Sequence, residues 1–162
     1  MKGKEYTIRP AGFQDAQAIF DLIKQFRHEL LPRPIGDIVQ NVDRFLVCEA
    51  GGRIVGCASW QILPEIGSPH RPSVEIQSVA VKSTYQGRGI GKALVEGAIE
   101  RIKPLRAVQI IVLTFAPEFF GRLGFKRTAK EKLMHKIYMG CINCTKYDDP
   151  FTCPEVAMVL AL

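Results

Sequence analysis

Residues 79–94 read Val-Ala-Val-Lys-Ser-Thr-Tyr-Gln-Gly-Arg-Gly-Ile-Gly-Lys-Ala-Leu, and the fold turns on how this stretch is read. An apolar strand end (Val79, Ala80, Val81) runs into a short polar turn and three glycines, Gly87, Gly89 and Gly91. An amphipathic helix then starts with Lys92, Ala93, Leu94 and Val95. Glycines remove side chains, so successive backbone N–H groups can converge on an anion. The helix start adds its own N–H groups and the positive end of its dipole. Arg88 and Lys92 add full charges. The stretch predicts a pyrophosphate cradle.

Spacing narrows the kind of cradle. A Walker loop needs Gly-x4-Gly-Lys-[Ser/Thr], which is absent from the chain. A dinucleotide fingerprint needs Gly-x-Gly-x-x-Gly early in a βαβ unit with an acidic residue ~20 positions later. Here the pattern is Gly-x-Gly-x-Gly, past mid-chain.

With 162 residues the chain suffices for one domain, able to bury roughly 68–70% of its unfolded surface without disulfides or metals. Hydrophobic content of 47% and charged content of 23% suit a soluble globular protein. No apolar run approaches ~18 residues, so no membrane span is expected, and Met1–Tyr6 lacks the apolar core of a signal peptide. A cytoplasmic location is the resulting expectation. Of the net +6, residues 82–106 hold +4: six basic residues (Lys82, Arg88, Lys92, Arg101, Lys103, Arg106) against Glu96 and Glu100. The excess charge surrounds the cradle, which suits a polyphosphate ligand. No DNA- or RNA-reading motif accompanies it, so no nucleic-acid partner is expected.

Taken in order, residues 6–10 predict an edge strand stopped by Pro10. A helix over roughly 14–30 carries Ala16, Ile19, Phe20, Ile23, Phe26 and Leu30 at helical spacing. Leu30-Leu31-Pro32-Arg33-Pro34 breaks it, and residues 35–43 predict a second short helix. Strands Arg44–Ala50 and Ile54–Leu63 flank a Gly51-Gly52 hairpin turn. A proline-rich loop, 64–72, leads to strand Ser73–Val81, then the cradle and a helix from Gly91 to Ile102. Ala107–Phe115 is nearly all apolar, as a strand buried on both faces should be. Pro117–Leu123 predicts a short helix closed by Gly124 as a C′ glycine, and Val156–Leu162 a last strand. The class is α/β with a mixed sheet.

Several of these segments together resemble the GNAT N-acetyltransferase superfamily. Gln86-Gly87-Arg88-Gly89-Ile90-Gly91 is similar to its acetyl-CoA loop. Tyr6–Pro10, Val55-Gly56, Val79–Val81 and the run Phe119-Phe120-Gly121-Arg122-Leu123-Gly124-Phe125 match its other landmarks over about residues 6–126. The resemblance implies a central mixed, mostly antiparallel β-sheet flanked by helices, forming a single domain over 1–162 that a Cys-containing segment, 131–154, decorates. Narrower likeness lies in Leu30-Leu31-Pro32-Arg33, in Ile110–Phe115 followed by Pro117-Glu118-Phe119-Phe120, and in Glu155–Leu160. These resemble stand-alone bacterial N-acetylglutamate synthases, which acetylate the α-amine of glutamate at the entry to arginine biosynthesis.

The resemblance also implies roles for individual residues. Acetyl-CoA is the cosubstrate, held by Gln86, Gly87, Arg88, Gly89, Ile90, Gly91 and Lys92 at the pyrophosphate, by Val79, Ala80 and Val81 along the pantetheine arm, and by Phe119 and Phe120. An N–H at Val79 or Ala80, left by a splayed strand end, polarises the thioester carbonyl. Glu75 lies four residues before Val79 on the entering strand, and period-2 alternation puts Glu75, Gln77 and Val79 on one face. Glu75 is the candidate general base and Gln77 a substrate contact. A tyrosine often meets the leaving thiolate in this superfamily, but Phe120 holds the aligned position. Thr114, Tyr85 or water could substitute, or the thiolate could leave unaided. An α-carboxylate calls for arginine: Arg33 first, with Arg71 and Lys136 behind it.

The partners are then a small-molecule amine, glutamate favoured, and a second copy of the chain in a homodimer. Open alternatives are another small amine, a protein N-terminus, or a non-catalytic acyl-CoA sensor. Five cysteines without a secretory signal argue against disulfides. Cys48 and Cys57 fall on strands as core. Cys141-Ile142-Asn143-Cys144 with Cys153 and His135 offers three or four zinc ligands, but the spacing is not that of a standard finger. Reduced thiols ordering a loop, and no metal, is the expectation, with a redox-sensor role left open.

Overall fold

A computed structural model describes residues 5–65, 67–133, 136–137 and 140–162. Its strands are β1 (Thr7–Pro10), β2 (Phe45–Ala50), β3 (Arg53–Leu63), β4 (Ser73–Val81), β5 (Gln109–Thr114), β6 (Lys126–Arg127) and β7 (Val156–Ala161). Helices are α1 (Ala16–Lys24), α2 (Ile35–Gln40), α3 (Ile90–Ile102) and α4 (Pro117–Gly121). The strand order is β1-β2-β3-β4-β5-β7-β6. β4 and β5 pair in parallel, while β1–β2, β2–β3, β5–β7 and β6–β7 pair antiparallel. A parallel pair needs a long crossover, and α3 supplies it. The expected α/β class with a mixed, mostly antiparallel sheet holds.

The chain divides into two compact units: Met1–Trp60 with Ile76–Arg101, and Gln61–Glu75 with Ile102–Leu162. In the first, Ile19, Leu22 and Ile23 of α1 bury themselves with Ile38, Phe45, Val47, Cys57 and Ala80. α3 approaches the strands closely because two glycines make room. A Cβ on Gly56 would meet Leu94 Cδ1 at 3.0 Å, and one on Gly97 would meet Leu46 Cδ1 at 2.9 Å. In the second unit Leu63, Ile111, Leu133 and Ala157 form the core.

Element boundaries differ from expectation where local chemistry intervenes. α1 stops at Lys24 rather than near 30. Gln25 and Phe26 turn to i→i−3 bonds on Leu22 and Ile23, while Phe26 and Leu30 still pack on the core. Downstream, Pro32 and Pro34 bar Leu31 and Arg33 from the helical region. The helix expected over 35–43 ends at Gln40, where the Asn41 side chain turns back onto the Asp37 carbonyl at 2.9 Å. A 3-10 turn, Val42–Arg44, follows. The hairpin glycines Gly51 and Gly52 have φ of +57° and +73°, as a type I′ turn requires. β4 runs over the expected residues, but Ser78 within it has φ +52°, and that left-handed residue is costly for a serine. Counting by twos from Glu75 to Val79 therefore fails at Ser78.

Candidate active site

The cradle is built in the first unit. The Lys82 N–H donates to the Val55 carbonyl at 2.8 Å, and the Gln86 amide reaches back to the Val81 carbonyl at 3.0 Å. Gln86 thus closes the loop onto its own strand. Gly87 and Gly89 follow with φ of +77° and +80°, a backbone that L side chains rarely adopt. Nothing lies within 4 Å of a Cβ built on Gly87. The first α-helical bond of this stretch runs from the Ala93 N–H to the Gly89 carbonyl at 3.0 Å, so the N–H groups of Ile90, Gly91 and Lys92 belong to the turn that precedes intrahelical pairing. Ile90 is buried and anchors the helix start beside Leu94 and Val95. Arg88 stacks over Tyr85 at 4.9 Å and donates to the Thr84 carbonyl at 3.3 Å, and Lys92 stays largely exposed 3.8 Å from Glu96. Open space, left-handed glycines and exposed cations fit a pyrophosphate.

Beside it on β4, Ala80 points into the core while Val79 and Val81 are half-buried. The Cys57 thiol donates to the Ser78 carbonyl at 3.3 Å. Burial pushes the Cys57 thiol up to about 12, so this cysteine is core.

Arg33 is gripped from several sides. Its Nε donates to Asp37 Oδ2 at 2.6 Å, and its Nη1 to Ser59 Oγ at 2.9 Å and Ser78 Oγ at 3.4 Å. The guanidinium carbon lies 4.9 Å from the Phe45 ring centroid. Nη2 has no partner among the described residues. Ser59 in turn donates to the Gln77 carbonyl at 3.2 Å. Asp37, Ser59, Ser78 and Phe45 are contacts that the sequence does not announce. Only Asp37, four residues from Arg33, carries a usable signal.

In the second unit Glu75 and Lys136 are buried together, with Nζ 2.7 Å from Oε2. Burial works to lower the Lys136 ammonium, but the Glu75 carboxylate more than offsets it and leaves Lys136 above the ordinary lysine range. Glu155 is raised, first by burial and then by the charge of Glu75. Lys136 is therefore committed to a carboxylate of its own chain, whereas Arg71 is exposed. Thr114 Oγ1 accepts the Ala116 N–H at 2.9 Å and keeps its own proton to donate.

α4 ends in a Schellman motif: Phe125 N–H to the Phe120 carbonyl at 3.1 Å and Gly124 N–H to the Gly121 carbonyl at 3.1 Å, with Gly124 at φ +94°. Phe120 is buried edge-on between Phe119 and Phe125, with centroids at 5.0 and 5.4 Å. Phe119 is the partly exposed member of the expected pair. Cys141, Cys144 and Cys153 are free thiols. No group of three or more His, Cys, Asp or Glu that could hold a metal occurs among the described residues; His135 lies outside them. Nor, among the described residues, is any helix long and apolar enough to cross a membrane.

Residues 13–125 match the family described as "Acetyltransferase (GNAT) family". An amino-acid acetyltransferase of Mycobacterium tuberculosis is 32% identical over 124 residues, covering 74% of this chain and 67% of its own. A protein of the same organism, solved in complex with CoA and NLQ, superposes with a TM-score of 0.80 at 28% identity over 96% of this chain and 99% of that one. The N-acetylglutamate synthase of Neisseria gonorrhoeae, complexed with coenzyme A and N-acetyl-glutamate, shares the fold with a TM-score of 0.79 at 22% identity. This chain spans 36% of that longer one. The chain belongs to the GNAT acetyltransferase family and is an N-acetyltransferase that draws its acetyl group from acetyl-CoA.

Proposed function

We propose that the acetyl acceptor is the α-amine of a free amino acid, L-glutamate first, and that the reaction serves arginine biosynthesis in the cytoplasm. The observation that carries this reading is Arg33: a guanidinium fixed by Asp37, Ser59 and Phe45, with Nη2 left to bind. An α-carboxylate matches that fork, since planar guanidinium groups hold carboxylates through paired, charge-assisted hydrogen bonds. The relative named amino-acid acetyltransferase points the same way.

In this reading the backbone N–H groups of residues 88–92, with Arg88 and Lys92, bind the pyrophosphate. Val79 and Val81 pair with the pantetheine arm, and the Val79 N–H polarises the thioester carbonyl. One such donor is worth about 2.7–4 kcal/mol in other acyl transfers. Glu75 takes the ammonium proton, directly or through water, and a base of this kind contributes about 10²–10⁴. The amine nitrogen then bonds the acetyl carbon as the carbon–sulfur bond breaks. Thr114, Tyr85 or water passes the second nitrogen proton to the thiolate, which leaves a neutral amide and the free thiol. Gln77 and Arg33 hold the acceptor, and fixing both reactants supplies about 7–11 kcal/mol of the barrier.

The test is thiol release from acetyl-CoA across the twenty amino acids and a set of polyamines. A dominant response to glutamate is expected. A response confined to another amine, or a panel without response, would overturn the glutamate reading and leave the fold and the cradle standing.

A further inference from the structure

We propose that Lys136 is a positioning residue for acyl transfer: its ammonium anchors the Glu75 carboxylate and balances its buried charge. The inference rests on the reading of Glu75 as the base. Glu75 is 4% exposed and Lys136 7%, and Nζ stands 2.7 Å from Oε2. A carboxylate removed from water must be met by an opposite charge and by hydrogen-bond donors that replace its solvent. At 2.7 Å Lys136 does both.

Glu155 and Cys141 face the pair, and Glu155 adds a like charge against Glu75. Lys146 and Lys130 act on Glu155. Lys130 donates to the Pro150 and Cys153 carbonyls, and Lys146 lies 5.5 Å over the Phe115 ring. The Lys136 ammonium lies in direct contact with the Glu75 carboxylate. Space for that ammonium is built in: a Cβ on Gly140 would stand 2.9 Å from Nζ, and the Gly140 N–H holds the Lys136 carbonyl at 3.0 Å. A base that must sit dry beside its substrate gains orientation from such an anchor, because a second fixed contact removes the freedom of the carboxylate to turn away.

The experiment measures kcat against pH for the full chain with acetyl-CoA and glutamate, or the best acceptor from the panel. It compares the native protein, Lys136→Met, Lys136→Arg, Glu75→Gln and the double variant Glu75→Gln/Lys136→Met. Lys136→Met is expected to move the acid limb up by about one pH unit, roughly a tenfold loss of kcat on that limb, with KM for acetyl-CoA changed less than about twofold. Lys136→Arg is expected to restore the limb. In the Glu75→Gln background, Lys136→Met is expected to cost nothing further, because a residue that acts through Glu75 has nothing left to act on. An unmoved limb, or a full additional loss in the double variant, overturns the role of Lys136 while Glu75→Gln alone still reports on the base. Native turnover in Glu75→Gln overturns both. Should Lys136→Met not fold, Lys136→Gln is read the same way.

Discussion

The Arg33 guanidinium carbon stands 4.9 Å from the centroid of the buried Phe45 ring, so an aromatic side chain carries the cation while Asp37 and Ser59 fix its rotation. Lysine cannot reproduce this. It lacks the plane that stacks, the Nε that bonds Asp37 and the paired donors that match a carboxylate. Arg33→Lys should therefore raise KM for the amine acceptor by about tenfold or more, equivalent to roughly 1.4 kcal/mol, and leave KM for acetyl-CoA nearly unchanged. Steady-state kinetics with each substrate varied in turn checks this, and equal effects on both constants would remove Arg33 from the acceptor side.

The opposite split is expected at the cradle. Gly87 and Gly89 hold φ of +77° and +80°, where an L side chain costs about 1–2 kcal/mol. Nothing crowds a Cβ on Gly87, so Gly87→Ala tests backbone conformation without a clash. It should weaken coenzyme A binding by about tenfold by calorimetric titration, with KM for the acceptor little moved. Unchanged binding would mean that the left-handed backbone there does not shape the phosphate site.

These two sites show what could be read in advance and what could not. The loop was legible because glycine spacing encodes backbone conformation directly, and the hairpin glycines were legible for the same local reason. Gly124 was readable as a helix stop because glycine takes the left-handed C′ position past the end of a short helix. Arg33 was readable as a loop cation, but its grip was not. Pro34 breaks the chain between Arg33 and Asp37 and disguises an i,i+4 pair, while Ser59 and Ser78 come from distant strands. The left-handed φ of Ser78 has no sequence signal, since serine seldom adopts it. The Glu75–Lys136 pair joins residues far apart in the chain, which periodicity cannot connect.

Acid should loosen the first unit through Asp15. Arg9 donates to both Asp15 oxygens, at 2.7 and 2.9 Å, and to Glu49 at 2.9 Å. The Arg9 hydrogen bonds outweigh burial and, with the Gly12 N–H, hold the Asp15 carboxyl below its ordinary 3.8. A carboxyl lowered on folding adds stability that is fully present above its unfolded value and is lost as pH falls through the folded one. Urea unfolding should show this contribution intact at pH 6 and shrinking below about pH 4. Asp15→Asn should flatten that part of the profile, and an Asn variant that loses stability in acid as steeply as the native chain would assign the acid sensitivity elsewhere.

Thiol reactivity should divide the five cysteines into two classes. Cys48 and Cys57 are fully buried on β2 and β3, and burial pushes their thiols up to about 11 and about 12. The thiolate is the reactive form, so at pH 8 both are deprived of access and of charge. Cys141, Cys144 and Cys153 are half-exposed, with Cys141 raised first by burial. A chromogenic aromatic disulfide should therefore modify three thiols per native chain, Cys141 the slowest of them, and five after denaturation. Acetyl-CoA should not slow Cys48 or Cys57 further, because neither reacts in the folded protein. Five native equivalents would show that the sheet opens at β2 or β3 on the timescale of the assay. Fewer than three would show that the thiols of the 141–153 segment are already paired or covered.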